Sequence, residues 1–246
     1  MAQYRQSGFA GTPPVVKNLI IINVLGLLAY YAFQGSVNLN WTLGLFYPGS
    51  VQFEPYQLIS HMFMHGGFAH LFFNMFALWM FGRVLEQVWG PKRFFIYFFV
   101  TGLGAATLHL LVNHIQIQSL ISQMPQEQVN IVMERGFNAL QQGKNFTNPD
   151  MQKLNLSMNI PTVGASGAVF GVLLAFGMLF PNTQLLLLFP PIPIKAKYFV
   201  IFYGILELFL GVTQPGSNVA HFAHLGGMLF GFFLIKYWSK KKDIFY

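Results

Sequence analysis

Residues 161–171 read PTVGASGAVFG, which sets Ser166 among small residues at the mouth of a long apolar run. A serine hydroxyl is a weak nucleophile unless a base lies within hydrogen-bond reach. Histidine is the side chain that takes and returns a proton near neutrality. Two histidines, His221 and His224, stand in the segment AHFAHLGGMLFG at 220–231. A third segment, HLFFN, spaces His70 and Asn74 at i,i+4, so on a helix both share one face and can aim donors at one point. Together these types supply a nucleophile, a general base and donors for a developing oxyanion, the needs of acyl transfer. At a helix start, the backbone N–H of Ser166 would be one more donor, because the first N–H groups of a helix are unpaired.

The acidic residues are Glu54, Glu86, Glu127, Glu134, Asp150, Glu207 and Asp243. Only Glu207 falls near the middle of an apolar run, and no carboxylate is placed by sequence beside the histidines. The expected unit is therefore a serine–histidine pair, not a triad. Blander readings stand beside this one. GASG can be a packing turn. His70 and Asn74 can hydrogen-bond neighbouring helices. His61 and His65 can bind metal or fasten a loop, and Glu207 can mark an ion path or pair with a polar neighbour. The joint occurrence of the polar segments favours chemistry.

The elements that must hold these residues are membrane helices. The chain has 246 residues, 54% hydrophobic and only 9% charged, with 28 phenylalanines; soluble domains carry about 25% charged residues. There is no cysteine, which excludes disulfides, thiolate catalysis and cysteine metal sites. A span needs about 20 mostly apolar residues. Six runs qualify at about 18–34, 67–88, 92–113, 165–181, 196–212 and 218–238, and the first reads as a retained span rather than a cleaved signal. The segment LLLLFPPIPI at 185–194 is apolar but broken by three prolines, so an interfacial loop is expected. In the polar connection 114–163, Val129, Met133, Phe137 and Leu140 recur at helical spacing, which predicts a short amphipathic helix.

Charge sets the orientation. With six spans, both termini share a face with Arg5, Lys17, Arg83, Lys92, Arg93, Lys195, Lys197, Lys236, Lys240, Lys241 and Lys242, while only Arg135, Lys144 and Lys153 lie opposite. The net charge of +7 thus encodes topology rather than nucleic-acid binding, and both termini are predicted cytoplasmic. The second, fourth and sixth spans then enter from the outer face, bringing His70, Asn74, Gly164, Ser166, Gly167, His221 and His224 to similar depth. Intramembrane polar groups are costly and mark function. Gly167 with Gly171, and Gly227 with Gly231, give the fourth and sixth helices small faces for close approach.

At this point the chain resembles the rhomboid intramembrane serine proteases. The residues that carry the likeness are HGGFAHLFFN, GASG and AHLGGMLFG, with GRVLEQVWGPKRFFIYFFVTG joining the second and third spans. The pattern AHxxGxxxG selects His224, followed by Gly227 and Gly231, over His221. The resemblance covers roughly 50–113 and 160–238. It implies an all-α, six-span bundle over 18–238, with a cytoplasmic segment at 1–17, a long outer loop at 114–163 and a basic tail at 239–246. It implies hydrolysis of peptide bonds in or beside the transmembrane helix of single-pass substrates, from a water-filled cavity open to the outer face. Ser166 would be the nucleophile and His224 the base. His70, Asn74 and the Ser166 N–H would form the oxyanion site, with Gly164 and Gly167 shaping the turn. No cofactor, metal or nucleic acid is implied. The expected setting is a lipid bilayer, the inner membrane of a bacterium.

Two departures from relatives bear on this. Trp41 is present in the first outer loop, but no Arg or Lys occurs between Lys17 and Arg83. The connection 114–163 is long for a minimal member and is expected to cap the bundle or gate substrate. Three rival readings are a metal-dependent protease, which lacks HExxH here, a non-enzymatic relative, and a transporter, for which no inverted repeat is visible.

Overall fold

The computed structural model describes residues 11–186, 191–214 and 220–240. Helix α1 covers Pro14–Phe33. The first connection holds short helices α2 (Leu39–Leu43) and α3 (Gln57–Ser60), the latter running into a single turn, His61–Phe63. Helices α4 (Phe68–Ala77) and α5 (Arg83–Trp89) form one rod through a wider π-type turn at Leu78–Gly82. Then come α6 (Pro91–Ile121), α7 (Gln126–Gln141), α8 (Pro149–Asn159) and α9 (Ser166–Leu179). Helices α10 (Ala196–Thr213) and α11 (His221–Lys240) follow.

This is an all-α membrane bundle. Among the described residues, four helices are long and apolar enough to cross a membrane: Pro14–Phe33, Phe68–Trp89, Pro91–Ile121 and Ala196–Thr213. Helix α9 is apolar but shorter, at 14 residues. The outward faces are apolar too, with Leu25 and Leu28 on α1 and Ile201, Phe202, Ile205 and Phe209 on α10 all exposed, as hydrocarbon-facing helices require.

Helices α6, α9 and α11 form the centre. Their approach is as close as backbones allow. A Cβ on Gly227 would lie 1.8 Å from the Gly167 carbonyl oxygen, and one on Gly167 would lie 2.3 Å from Ala105 Cβ. Lipid offers little hydrophobic drive between helices, so such packing and interhelical hydrogen bonds hold the bundle together. Tyr97, fully buried on α6, donates to the Gly171 carbonyl at 2.8 Å. At the other end of the bundle Glu86 on α5 accepts from the N–H groups of Val15 and Val16 at 2.9 and 2.8 Å. That carboxylate, 2% exposed, caps the start of α1, which has no side-chain cap of its own.

The connection after α6 differs from the expectation. It holds two helices, not one, and α6 itself runs on to Ile121, eight residues beyond the expected end. The buried stripe of α7 is Val129, Val132 and Gly136, while Met133 is exposed. The stripe turns because α7 packs on α8, where Asn155 Nδ2 donates to the Gly136 carbonyl at 3.1 Å. With Ile117, Leu154 and Met158 these residues form a second, smaller apolar core. Phe137 meets Trp41 at 5.1 Å between ring centroids, so the first connection is held by protein contacts rather than by a basic anchor. The expected loop at 185–194 is entered and left by a two-stranded hairpin, β1 (Gln184–Leu186) against β2 (Pro193–Lys195); 187–190 lie outside the described residues, as do 215–219 and the terminal residues 1–10 and 241–246.

Candidate active site

The turn before α9 is fixed by backbone hydrogen bonds. Leu45 and Thr162 exchange N–H···O bonds at 2.9 and 2.8 Å, and the Gly164 N–H donates to the His61 carbonyl at 2.9 Å. Thr162 Oγ1 also meets His109 Nε2 at 2.9 Å. Gly164 takes φ +127°, a conformation in which a side chain is strained. A Cβ there would sit 2.9 Å from His70 Nε2 and 3.7 Å from Ser166 Oγ. The glycine thus leaves an open space bordered by the serine and an imidazole.

Ser166 begins α9, and its Oγ lies 2.8 Å from His224 Nε2 on α11. Phe170, one turn along from Ser166, stacks face to face on the His224 ring, with centroids 4.1 Å apart and planes 5° from parallel. On α4, His70 Nδ1 accepts from the Gly66 N–H at 3.3 Å, which leaves the proton on Nε2, the nitrogen beside Gly164. Asn74 spends one amide hydrogen on the His70 carbonyl at 2.9 Å, and its second is free for another acceptor. These groups line one cavity of about 1750 Å³, walled by α4, α6, α9, α10 and α11 and by Lys153, Leu156 and Ser157 of α8.

The structure brings together Ser166, His224, His70, Asn74 and Gly164 around this cavity. Gly167, Gly171, Gly227 and Gly231 lie at helix contacts: Gly167 against Ala105, Gly171 against Thr101, Gly227 against Gly167, Gly231 against Tyr97. His61 and His65 lie in the connection before α4. Burial holds the His61 imidazole down to about 4; burial, with repulsion from His70, holds His65 down to about 3. His61 Nδ1 bonds the Gln57 carbonyl at 2.7 Å, while the His65 ring packs edge-on against His70 with centroids 5.0 Å apart.

The sequence placed no carboxylate beside the base, and here the structure differs. Glu207 Oε2 lies 2.7 Å from His221 Nδ1 and 2.9 Å from His224 Nδ1. The His221 contact is a well-formed hydrogen bond; the His224 N–H points off the line to the oxygen, so that contact is close but bent. Helix rotation brings the acid inward, and no periodicity in an apolar helix reveals rotation. Phe170 was also missed, although its i,i+4 spacing from Ser166 puts both on one face. Glu207, His221 and His224 together are a three-donor cluster that a metal ion also favours. Within the cluster each imidazole lies at hydrogen-bond distance from the Glu207 carboxylate.

Fold and site together define an integral membrane protein with a serine and a histidine in hydrogen-bond contact at a cavity inside an apolar bundle. The chain belongs to the rhomboid family: the rhomboid domain matches residues 52–241. It is 26% identical over 190 residues to Rhomboid protein 1, mitochondrial, of Saccharomyces cerevisiae, covering 76% of this chain and 44% of that protein. It is 31% identical over 182 residues to RHOMBOID-like protein 5 of Arabidopsis thaliana, covering 74% and 43%. With Rhomboid protease GluP of Bacillus subtilis it shares 24% over 187 residues, covering 74% and 26%. The chain spans less than half the length of each of these three relatives.

Proposed function

We propose that this protein is a serine endopeptidase that cleaves peptide bonds in or beside transmembrane helices of single-pass membrane proteins. The observation that carries the reading is the 2.8 Å approach of Ser166 Oγ to His224 Nε2 within the cavity. In the reaction Ser166 Oγ attacks the scissile carbonyl carbon while its proton passes to His224 Nε2. The carbonyl oxygen becomes an oxyanion in the space beside Gly164, facing the His70 Nε2–H, the Asn74 amide and the Ser166 N–H. His224 then gives its proton to the leaving amine as the C–N bond breaks. Water, deprotonated by the same imidazole, releases the acyl group and restores Ser166.

Depth follows from helix length. Fourteen residues rise about 21 Å, against a hydrocarbon core of about 30 Å. With its far end at one face, α9 begins roughly 9 Å beneath the other, and Ser166 with it. Six spans are proposed, α9 and α11 adding to the four apolar segments named above, with both termini cytoplasmic by the basic-residue count. The proposed location is a bacterial inner membrane, and no cofactor or metal takes part. The α7–α8 excursion is proposed to cap the cavity, a role supported by its Lys153, Leu156 and Ser157 in the cavity wall.

The test compares wild type, Ser166→Ala and His224→Ala in detergent with a single-pass substrate, with and without a chelator. Fluorophosphonate labelling is the second readout. Cleavage and labelling by wild type alone, indifferent to the chelator, is the expected result. Cleavage that survives Ser166→Ala refutes the mechanism.

A further inference from the structure

An anionic side chain within an apolar bundle is costly unless it is paired. Glu207, 6% exposed on α10, is paired with two imidazoles of α11 through one oxygen. One of them is the ring that meets Ser166. Three contacts therefore define the position of His224. Phe170 lies flat against its face and prevents tilt. Ser166 holds the Nε2 edge at 2.8 Å, and Glu207 holds the Nδ1 edge at 2.9 Å. A parallel stack alone permits the ring to slide and turn in its own plane, so the two edge contacts set the remaining freedoms.

We propose that Glu207 is a positioning residue for His224, completing a serine–histidine–glutamate arrangement in which His221 steadies the carboxylate. The proposal rests on the protease reading above. An ionised carboxylate only accepts, so the proton of neutral His224 sits on Nδ1 and the Nε2 lone pair faces Ser166. That is the tautomer a general base requires. When Ser166 gives up its proton the ring becomes imidazolium, and Glu207 faces it with a fixed negative charge. Glu207 itself takes no proton. His221 donates along the line to the shared oxygen at 2.7 Å, which fixes the carboxylate so that the bent His224 contact straightens as charge develops on the ring.

A purely structural role, anchoring α10 to α11, makes a different prediction. Glutamine matches glutamate in size and keeps a hydrogen-bonding oxygen, so an anchor tolerates Glu207→Gln better than Glu207→Ala. A positioning charge does not, because glutamine lacks the charge as alanine does. We expect Glu207→Gln to lower kcat for a single-pass substrate by about 100-fold or more, with KM within about twofold and a parallel fall in fluorophosphonate labelling. Glu207→Asp, which keeps the charge one methylene further back, recovers part of the loss. A Glu207→Gln protein that works at the wild-type rate overturns the proposal. A wild type that neither cleaves nor labels overturns the protease reading instead, so the two failures are distinguishable. A second measurement needs no variant of Glu207. Nitrogen-15 histidine spectra of wild type, assigned by loss of the signal in His224→Ala, report the tautomer directly. The Nδ1–H form is expected; the neutral Nε2–H form sinks the proposal.

Discussion

Replacing Gly227 by alanine tests whether helix contact sets the catalytic distance. The new Cβ would fall 1.8 Å from the Gly167 carbonyl oxygen and 2.7 Å from its carbon, both backbone atoms. Backbone cannot step aside as a side-chain tip can. An ordinary contact of about 3.4 Å is restored only if α9 and α11 part by about 1.5 Å. Gly167 adjoins Ser166, and Gly227 lies one turn from His224, so the displacement reaches both. Carried rigidly, it stretches the 2.8 Å contact between Ser166 and His224 to beyond 4 Å at most, past any hydrogen bond (roughly 3.2 Å). A 1 Å misplacement already costs about 100-fold in rate, and overpacking costs about 1–3 kcal/mol of stability. Fluorophosphonate labelling and substrate cleavage, each normalised to folded protein by thermal melting, are the assays. Gly204→Ala is the control, because its Cβ meets only the flexible end of Met228 at 3.3 Å. If Gly227→Ala labels and melts like wild type while Gly204→Ala does too, the reasoning from helix contact to catalytic distance is wrong.

Further predictions concern charge and assembly. His61 and His65 are held neutral by burial, at about 4 and about 3 against an ordinary 6.5. The unfolded chain therefore binds more protons below 6.5, and stability falls as pH drops from 6.5 through 4 towards 3. Melting measured across that range shows the slope, and His65→Phe flattens it. Glu86→Ala, which leaves the Val15 and Val16 N–H groups uncapped, lowers stability by about 3 kcal/mol, with Glu86→Gln between it and wild type in thermal melts. Asn155→Ala breaks the bonds to Gly136 and Asn145 and removes the acceptor of Asn159 Nδ2, so proteolytic nicking between 126 and 159 speeds up. Deletion of 120–150 removes α7 and the Phe137 partner of Trp41; a reduced cleavage rate is expected, and an unchanged one counts against capping.

The apolar runs were legible because their length and composition answer to the bilayer alone. Helix ends were less so: α6 runs on through Gln116 and Gln118 because the α8 side of the excursion packs on it, a tertiary contact with no mark in its own residues. Ser166, His224, His70 and Asn74 stood out as polar groups where polar groups are expensive. Glu207 stood out for the same reason, but its partner did not, since an apolar helix carries no stripe to tell which way a lone polar residue faces. Met133 has a different cause: α7 does carry a stripe, but Gly136 rather than a large side chain marks where α8 comes closest, so the buried face is turned from the one that spacing indicates.

The short stretch before Ser166 has no regular secondary structure, yet it is stitched to three separate parts of the chain, at Leu45, His61 and His109. Its amides should accordingly exchange with deuterium as slowly as those of the central helices, unlike most irregular segments. Mechanically this makes one rim of the cavity a rigid lip. On the protease reading proposed above, a widening of the cavity is expected at the opposite rim, where α10 rests mainly on α9 and α11, with Ser166 held in place on the stitched side.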